Sequence, residues 1–237
     1  MAGKLYGIGV GPGDPGLLTI KAKDLIENAA VIAYPVNKRG ESSTALDIVK
    51  GAVDISKKSV MELLFSMNPD DNVRKMCQTE AVKELAAALD KGLDIVMITL
   101  GDVGVYSTYM YVDNEIKELG YETEVIPGIP SFCSGAAKAR IPLMIGDESL
   151  VVVPMAKRNT KMLESALSNF NNVVVMKAWD SMDILVEMMK KLDLSKDNAT
   201  VISNIGMEGE YIGPVDLERK YGYFTTVIIK NGKGERK

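Results

Sequence analysis

The chain has 237 residues, 46% of them hydrophobic, a formal net charge of −4 and no histidine. This length accommodates one large α/β domain or two smaller ones, and the hydrophobic content is sufficient to fill a core. The acidic balance argues against a nucleic-acid binder that works by bulk electrostatics. The lack of histidine excludes histidine-based acid–base catalysis and removes the commonest metal ligand.

Cysteine content and the N-terminal segment limit the protein further. Cys77 and Cys133 are far apart in sequence, so they indicate neither a disulfide framework nor a zinc site, and we expect no bound metal. No apolar run approaches the length of a membrane span, and the N-terminus lacks the pattern of a signal peptide. The sequence therefore predicts a cytoplasmic protein with no membrane or nucleic-acid partner.

The chain begins with a short apolar run, which predicts a strand, and continues into a glycine-rich loop. The loop is Gly7-Ile8-Gly9-Val10-Gly11-Pro12-Gly13-Asp14-Pro15. Glycine permits close backbone approaches that a side chain forbids, whereas proline fixes φ, so we expect a shaped loop. A predicted helix over 19–28 follows, with Thr19 placed to cap its first turn. This order of strand, loop and helix presents backbone to a ligand in α/β proteins.

Two common nucleotide-binding patterns do not match this loop. The dinucleotide fingerprint G-x-G-x-x-G requires glycine where the chain has Pro12 or Asp14, and Asp14-Pro15 interrupts the helix start in the remaining frame. The next predicted strand, over 30–34, is expected to end at Pro35 without a ribose-binding acid. The chain contains no Gly-Lys-Ser/Thr, which excludes a Walker loop.

Helices and strands alternate in the first half, whereas the end of the chain is rich in strands. The apolar patterns predict helices over 44–50, 131–139, 160–169 and 180–191, a long helix from Asp70-Asp71, and a helix ending near Leu119; they predict strands over 58–65, 94–100, 122–126, 149–153, 172–176, 200–203, 211–215 and 224–229. We therefore expect two α/β domains, 1–122 with a mostly parallel sheet and 123–237 with a mixed sheet. A cofactor cleft is expected between them near Pro127-Gly128, with 1–122 forming its substrate side.

Three loops follow predicted strands and share glycine, proline and acidic residues. They are Gly11-Pro12-Gly13-Asp14-Pro15, Leu100-Gly101-Asp102 continuing to Tyr106-Ser107, and Pro127-Gly128-Ile129-Pro130-Ser131. Because loops at the carboxyl ends of parallel strands converge on a crevice, we expect the three to meet at a ligand site. The set resembles the tetrapyrrole methylase family, which carries G-x-G-P-G-D, L-x-G-D-P-x-x-Y-S and P-G-x-x-[ST] segments in this order. The resemblance extends from residue 4 to about residue 229, with one departure at Val103, where the family has proline.

The resemblance is greatest to the carbon-20 methylases of the family, through Tyr34-Pro35-Val36 and Gly40-Glu41-Ser42-Ser43. It implies a homodimer that uses S-adenosyl-L-methionine and releases S-adenosyl-L-homocysteine. The family's cofactor contacts fall on Pro12, Leu100, Gly101, Asp102, Val105, Tyr106, Ser131, Phe132, Met176 and Ile205. A sulfonium methyl group is already electrophilic, so its transfer requires alignment and desolvation more than acid–base catalysis, and histidine is dispensable. Any metal would arrive inside the substrate.

Asp14 is the candidate catalytic residue. It either accepts the proton lost from carbon 20, or positions a pyrrole N–H, or forms only an Asx turn at the helix entry. Asp102 either contacts the cofactor or caps the helix predicted after residue 105, and Ser131 is also a candidate helix cap. Because the implied substrate carries many carboxylates, Lys38, Arg39 and Arg158 are predicted to bind it, the alternative being that they only solubilise the protein.

The sequence therefore predicts methyl transfer to carbon 20 of precorrin-2 or cobalt-factor II in corrin-ring (cobalamin) biosynthesis. Other hypotheses stay open at this point. They are another regiospecificity within the family, the related diphthine synthase, which acts on a protein, and a non-catalytic tetrapyrrole carrier.

Overall fold

The computed structural model describes residues 1–155 and 159–232. Its contacts separate the chain into two units, Met1–Pro130 and Ser131–Lys237. Within the described ranges, no helix is long and apolar enough to cross a membrane.

The N-terminal unit is built on a five-stranded parallel sheet with the order β3-β2-β4-β1-β5. Its elements are β1 (Leu5–Gly9), α1 (Ile20–Asn28), β2 (Val31–Val36), α2 (Thr44–Ala52), β3 (Ser59–Leu64), α3 (Asp71–Leu89), β4 (Ile95–Thr99), α4 (Tyr109–Glu118) and β5 (Thr123–Ile126). One buried cluster contains side chains of α1 and α2, and a second contains side chains of α3 and α4. Helices therefore cover both faces of the sheet, as expected for parallel strands, and the prediction of a mostly parallel sheet is confirmed.

The C-terminal unit is built on a mixed five-stranded sheet with the order β6-β7-β10-β8-β9. Its elements are α5 (Ser131–Ala139), β6 (Leu150–Pro154), α6 (Thr160–Asn169), β7 (Asn172–Met176), α7 (Met182–Lys191), β8 (Ala199–Ser203), β9 (Tyr211–Gly213) and β10 (Thr225–Lys230). β6 and β7 run parallel, whereas β10 runs antiparallel to β7 and β8, and β9 runs antiparallel to β8. The predicted mixed sheet is confirmed.

The division between the units differs from the one predicted after residue 122. Thr123–Ile126 pairs with β1 from Leu5 to Ile8, so this segment completes the parallel sheet. Residues 123–130 consequently belong to the N-terminal unit, which ends at Pro130. A strand of four residues carries too little pattern to indicate which sheet it joins. The cleft expected between the units stays a prediction.

β2 continues past Tyr34, where the sequence predicted that it would stop. It pairs with β3 as far as Val36, whereas its pairing with β4 ends at Ala33. Pro35 has no N–H to donate, so a strand can carry it only where one ladder is not required. The proline therefore ends the ladder between β2 and β4 and leaves the ladder to β3 intact.

Only the second half of α3 packs against the core. Its buried side chains are Ala81, Val82, Leu85, Ala88 and Leu89. Met76 lies about two and a half turns before Leu85, on the opposite side of the helix, and is 65% exposed. Val73 and Cys77 are only half-buried, so the first half of the helix contributes no fully buried side chain to the core.

A buried tyrosine occupies the space that a side chain at Gly7 would need. A Cβ on Gly7 would lie 2.1 Å from Cζ of Tyr109. The Tyr109 hydroxyl donates to Oδ1 of Asp113 at 3.3 Å, and Lys117 donates to Oδ2 of the same buried carboxylate at 2.7 Å. Although burial favours the neutral acid, the hydrogen bond from Lys117 holds the pKa of Asp113 below its ordinary value. The first glycine of the loop is thus required by packing within the unit.

Candidate active site

Glycines from the three predicted loops pack against one another at the carboxyl edge of the parallel sheet. N of Gly11 donates to O of Gly101 at 3.1 Å, and N of Gly101 donates to O of Gly11 at 2.8 Å. A Cβ on Gly9 would lie 2.6 Å from N of Gly128, and a Cβ on Gly128 would lie 2.1 Å from O of Gly101. We call Gly9, Gly11, Gly101 and Gly128 the glycine junction. The predicted convergence of the loops is confirmed, and a side chain at Gly9 or Gly128 would disrupt it.

Asp102 uses both carboxylate oxygens to hold this junction. Oδ2 accepts from N of Gly128 at 2.8 Å, and Oδ1 accepts from N of Gly104 at 2.8 Å. α4 begins at Tyr109 with Thr108 at its N-cap, so the alternative that Asp102 caps this helix is wrong. An ionised carboxylate offers about four acceptor sites, so two hydrogen bonds leave capacity for a hydroxyl or amine of a ligand.

Tyr106 has an unusual backbone conformation in the same loop. Its φ is 51°, in the left-handed region that bulky residues rarely adopt, and its ring is exposed. Partial burial raises the pKa of its hydroxyl. The neighbouring Ser107 has a structural role, because its Oγ lies 3.0 Å from Oγ1 of Thr99 and accepts from N of Tyr109 at 3.1 Å. Left-handed residues of this kind cluster at functional sites, which favours Tyr106 over Ser107 for ligand contact.

Asp14 is exposed at the end of the first loop. Its Oδ1 accepts from N of Gly16 at 2.8 Å and so starts the 3₁₀ turn Pro15–Leu17. This geometry confirms the Asx turn that the sequence offered as an alternative. The turn uses one oxygen, so the carboxylate can still accept a proton or a hydrogen bond. The catalytic role of Asp14 stays a prediction, as does cofactor contact by the buried Pro12.

Arg39 is engaged by acidic residues of the N-terminal unit. Its Nη2 pairs with Oε1 of Glu84 at 2.5 Å, and its Nη1 donates to O of Glu62 at 3.0 Å. The Glu62 carboxylate accepts from the hydroxyl of Tyr34 at 3.1 Å and from N of Gly40 at 3.0 Å. Burial and the hydrogen bond to Glu62 raise the pKa of Tyr34. Sequence reasoning missed Glu62, although a carboxylate inside the apolar run of a predicted strand was a visible signal.

The other predicted substrate-binding cations are Lys38 and Arg158. Lys38 is exposed in the same loop as Arg39, whereas Arg158 lies outside the described residues. By sequence, Met1–Pro130 carries 13 basic and 19 acidic residues, and Ser131–Lys237 carries 15 basic and 13 acidic residues. The excess of positive charge that favours an anionic substrate is therefore in the C-terminal part of the chain.

Met176 and Ile205 lie at one edge of the mixed sheet. Met176 ends β7, and Ile205 follows β8, while β10 pairs with both strands and lies between them. The turn after β8 contains Asn204 with a φ of 51° and Gly206 with a φ of 72°. Ile205 is buried and Met176 is half-buried. The structure thus brings these two predicted cofactor residues to the same sheet edge.

Ser131 and Phe132 begin α5, which packs on β8. A Cβ on Gly135 would lie 2.5 Å from Cδ1 of Ile202, so this glycine permits the close approach of helix and strand. Phe132 is buried, whereas Ser131 is half-exposed. The helix has the bounds that the sequence predicted.

Glu210 holds the turn that contains Ile205. Its Oε2 accepts from N of Gly206 at 2.7 Å, and its Oε1 pairs with Nζ of Lys138 on α5 at 2.6 Å. The hydrogen bonds from Lys138 and from the Gly206 backbone lower the pKa of Glu210 below its ordinary value. Sequence reasoning missed this residue, because a glutamate in a polar loop gives no sign of its partners.

Comparison with known proteins agrees with this architecture. The family model described as Tetrapyrrole (Corrin/Porphyrin) Methylases matches residues 4–220. A relative from Methanocaldococcus jannaschii, named probable cobalt-precorrin-2 C(20)-methyltransferase, is 38% identical over 174 residues, which are 73% of this chain and 72% of the relative. A relative from Salmonella typhimurium, named cobalt-precorrin-2 C(20)-methyltransferase, is 27% identical over 97% of both chains.

A solved structure confirms the fold class. The cobalt precorrin-4 methyltransferase superimposes with a TM-score of 0.73 at 19% identity, covering 95% of this chain and 94% of that one. The family match covers the three loops of the glycine junction as well as the edge with Met176 and Ile205. The chain belongs to the tetrapyrrole methylase family.

Proposed function

We propose that this enzyme transfers a methyl group from S-adenosyl-L-methionine to carbon 20 of precorrin-2 or cobalt-factor II in cobalamin biosynthesis. The observation that carries the proposal is the match over 97% of both chains to a Salmonella typhimurium protein named for methylation at that carbon. The more similar Methanocaldococcus jannaschii relative has a name for the same position on the ring. Agreement between two relatives favours carbon 20 over the other regiospecificities of the family.

The residues present fit the proposed cofactor. The Asp102 carboxylate has acceptor capacity for an amine or a ribose hydroxyl, beyond the two backbone groups that it holds. Tyr106 offers an exposed ring, and the half-buried Met176 offers an apolar contact. The remaining proposed contacts are Pro12, Leu100, Gly101, Val105, Ser131, Phe132 and Ile205. When bound, S-adenosyl-L-methionine supplies an electrophilic methyl group, and it leaves as S-adenosyl-L-homocysteine.

The contribution of the chain is mainly positioning. The glycine junction and Asp102 fix the loops by backbone hydrogen bonds before any ligand arrives, which favours preorganised alignment. Asp14 is the proposed proton acceptor. When the new C–C bond forms at carbon 20, the C–H bond at that carbon breaks, and the proton passes to the Asp14 carboxylate.

Lys38, Arg39 and Arg158 are proposed to bind the carboxylates of the substrate. Lys38 and Arg39 follow β2, and Arg158 is proposed on charge and sequence position alone. Arg39 would have to exchange Glu84 for a substrate carboxylate, because its guanidinium already pairs with that residue. We also propose that the enzyme is a homodimer, as the resemblance implies, which light scattering will test.

The proposed reaction is tested with cofactor labelled with ¹³C in its methyl group. We expect one label per turnover at carbon 20 when the enzyme is incubated with precorrin-2 or cobalt-factor II, measured by NMR of the product. Label at another carbon would refute the regiochemistry and leave the family intact. Failure to bind S-adenosyl-L-homocysteine in calorimetry would instead favour a tetrapyrrole carrier.

The role of Asp14 is tested by Asp14→Asn with a matched control. The amide oxygen can still accept from Gly16, so the variant keeps the turn and loses only the base. We expect kcat to fall about 100-fold with unchanged affinity for S-adenosyl-L-homocysteine. Asp54 forms the same kind of turn, because its Oδ1 accepts from N of Ser56 at 2.9 Å, and Asp54→Asn should leave kcat unchanged. Equal activity of the two variants would assign Asp14 to the turn alone.

A further inference from the structure

The C-terminal unit exposes three aromatic side chains near the turn that follows β8. Trp179 is 45% exposed, Tyr223 is 42% exposed and Phe224 is 38% exposed. The rings of Tyr223 and Phe224 pack edge to face, with their centroids 5.4 Å apart. We call these three residues the aromatic surface. Large apolar groups exposed together typically mark a binding surface rather than ordinary solvent-facing structure.

Backbone hydrogen bonds place the aromatic surface at the sheet edge that holds Met176 and Ile205. N of Ala178 donates to O of Thr225 at 3.1 Å, and N of Asn204 donates to O of Phe224 at 3.0 Å. The segment with Trp179 and the segment with Phe224 are therefore neighbours. All three residues lie in the C-terminal unit, and the backbone of Phe224 is hydrogen-bonded to Asn204 in the turn after β8.

Two exposed cations precede the aromatic surface in the connection between β9 and β10. Arg219 and Lys220 lie within four residues of Tyr223 along the chain. The guanidinium of Arg219 lies over the ring of Tyr211, 4.1 Å from its centroid, which holds the connection against β9. Asp216 and Glu218 lie in the same connection, and Oδ1 of Asp216 is already used by N of Glu218 at 2.9 Å.

We propose that the aromatic surface, together with Arg219 and Lys220, binds the macrocycle of the methyl acceptor. This inference rests on the proposed function, since it specifies where a polycarboxylated tetrapyrrole docks. A flat conjugated ring stacks on aromatic side chains, and guanidinium and ammonium groups pair with the carboxylates at its periphery. Charge complementarity to this ligand comes from Arg219 and Lys220, which are both exposed and precede Tyr223 closely in the chain.

The experiment measures binding of cobalt-factor II to the whole enzyme without S-adenosyl-L-methionine. Trp179 is the only tryptophan in the chain, so its fluorescence reports occupancy of the surface. We expect saturable quenching, with Kd raised about tenfold in the double variant Tyr223→Ala/Phe224→Ala and severalfold in Arg219→Gln. Tyr111 on α4 is 64% exposed, and Tyr111→Ala is the matched control, which should leave Kd unchanged.

Calorimetry with S-adenosyl-L-homocysteine and light scattering on the same variants complete the test. Unchanged cofactor affinity and unchanged mass are expected. An unchanged Kd for cobalt-factor II in a folded double variant would overturn the proposal. Weakened cofactor binding would overturn it by assigning the surface to the cofactor, and loss of a dimer would assign it to a second copy. Wild-type enzyme that binds cobalt-factor II but transfers no methyl group would refute the proposed function and leave the docking surface standing.

Discussion

The edges of the two sheets that carry the candidate site residues are built differently. In the N-terminal unit backbone groups join the loops, because Gly9 and Gly128 have no room for a Cβ and Asp102 accepts from two N–H groups, and Tyr106 is an exposed ring there. In the C-terminal unit the turn with the left-handed Asn204 and Gly206 has three exposed aromatic side chains beside it, Trp179, Tyr223 and Phe224. We infer that the edge in the N-terminal unit fixes the shape of the loops and tolerates little substitution. The edge in the C-terminal unit is inferred to set the affinity for the ligand, so its residues can vary.

The largest effect is expected from Gly128→Ala, which tests the edge in the N-terminal unit directly. The added Cβ would lie 2.1 Å from O of Gly101, so the junction must open. We expect a loss of about 3 kcal/mol of unfolding free energy together with loss of methyl transfer, measured by urea denaturation and by assay. Gly40→Ala is the control, because its φ is +80° but nothing lies within 4 Å of the new Cβ. Gly128 has no left-handed φ, so a Gly128→Ala variant that loses no more stability than Gly40→Ala would contradict the contact argument.

A pair of carboxylate variants compares the two edges. Asp102→Asn replaces one of the two carboxylate oxygens by an NH2 group, which cannot accept from the backbone N–H that it then faces. We therefore expect about 2 kcal/mol of lost stability. In Glu210→Gln the remaining oxygen can accept from both Gly206 and Lys138, because Oε2 already contacts both. We expect less than about 1 kcal/mol there. Urea denaturation of both variants measures the difference, and equal losses would contradict the comparison.

A smaller effect is expected at Arg39, which follows β2 in the N-terminal unit. Arg39→Ala should raise KM for the tetrapyrrole about threefold, and Glu84→Gln should lower KM by a similar factor, since it releases the guanidinium. Steady-state kinetics measure both, with cofactor affinity unchanged. Lys83 pairs with Glu80 at 2.7 Å on the same helix as Glu84, and Lys83→Ala is the control. Changes of the same sign at Arg39 and Glu84 would refute substrate binding by Arg39.

The smallest effect concerns the acid stability of β5. Hydrogen bonds from Lys21 and Lys4 lower the pKa of Glu124 from 4.5 to about 2. Because the folded state binds this proton less readily than the unfolded state, the stabilisation is full above about pH 4.5 and is lost as the pH falls to about 2. Glu124→Gln should therefore lower the urea midpoint at pH 7 and bring it closer to wild type at pH 3. The exposed Glu122 gives the control Glu122→Gln, which should show no such convergence.

Local features of the fold were predictable from the sequence. The helices Ser131–Ala139 and Thr160–Asn169 and the strand Asn172–Met176 have the predicted bounds, because apolar periodicity and turn residues act over short distances. The meeting of the three loops was also predictable, since parallel strands bring their carboxyl ends to one edge. The lack of fully buried side chains in the first half of α3 was not, because helical spacing does not say how far the core extends.

Partners distant in sequence were beyond such reasoning. Asp102 binds the backbone of Gly128, 26 residues away, and Arg39 pairs with Glu84, 45 residues away. Each choice depends on which strands become neighbours in the folded unit. The sequence shows that charged groups stand at these positions, whereas only the tertiary structure shows which of them already have hydrogen-bond or ion-pair partners.

The packing of Tyr109 against Gly7 has a consequence for how this sequence can evolve. The two positions share one volume, so a lineage with alanine or serine at position 7 must carry a smaller residue at position 109. Loss of the tyrosine hydroxyl would remove a hydrogen-bond donor from the buried Asp113 carboxylate. It would therefore also affect Lys117, which donates to the same carboxylate. Alignments of the family should therefore show these four positions changing together, and a chimera that exchanges β1 should exchange α4 with it.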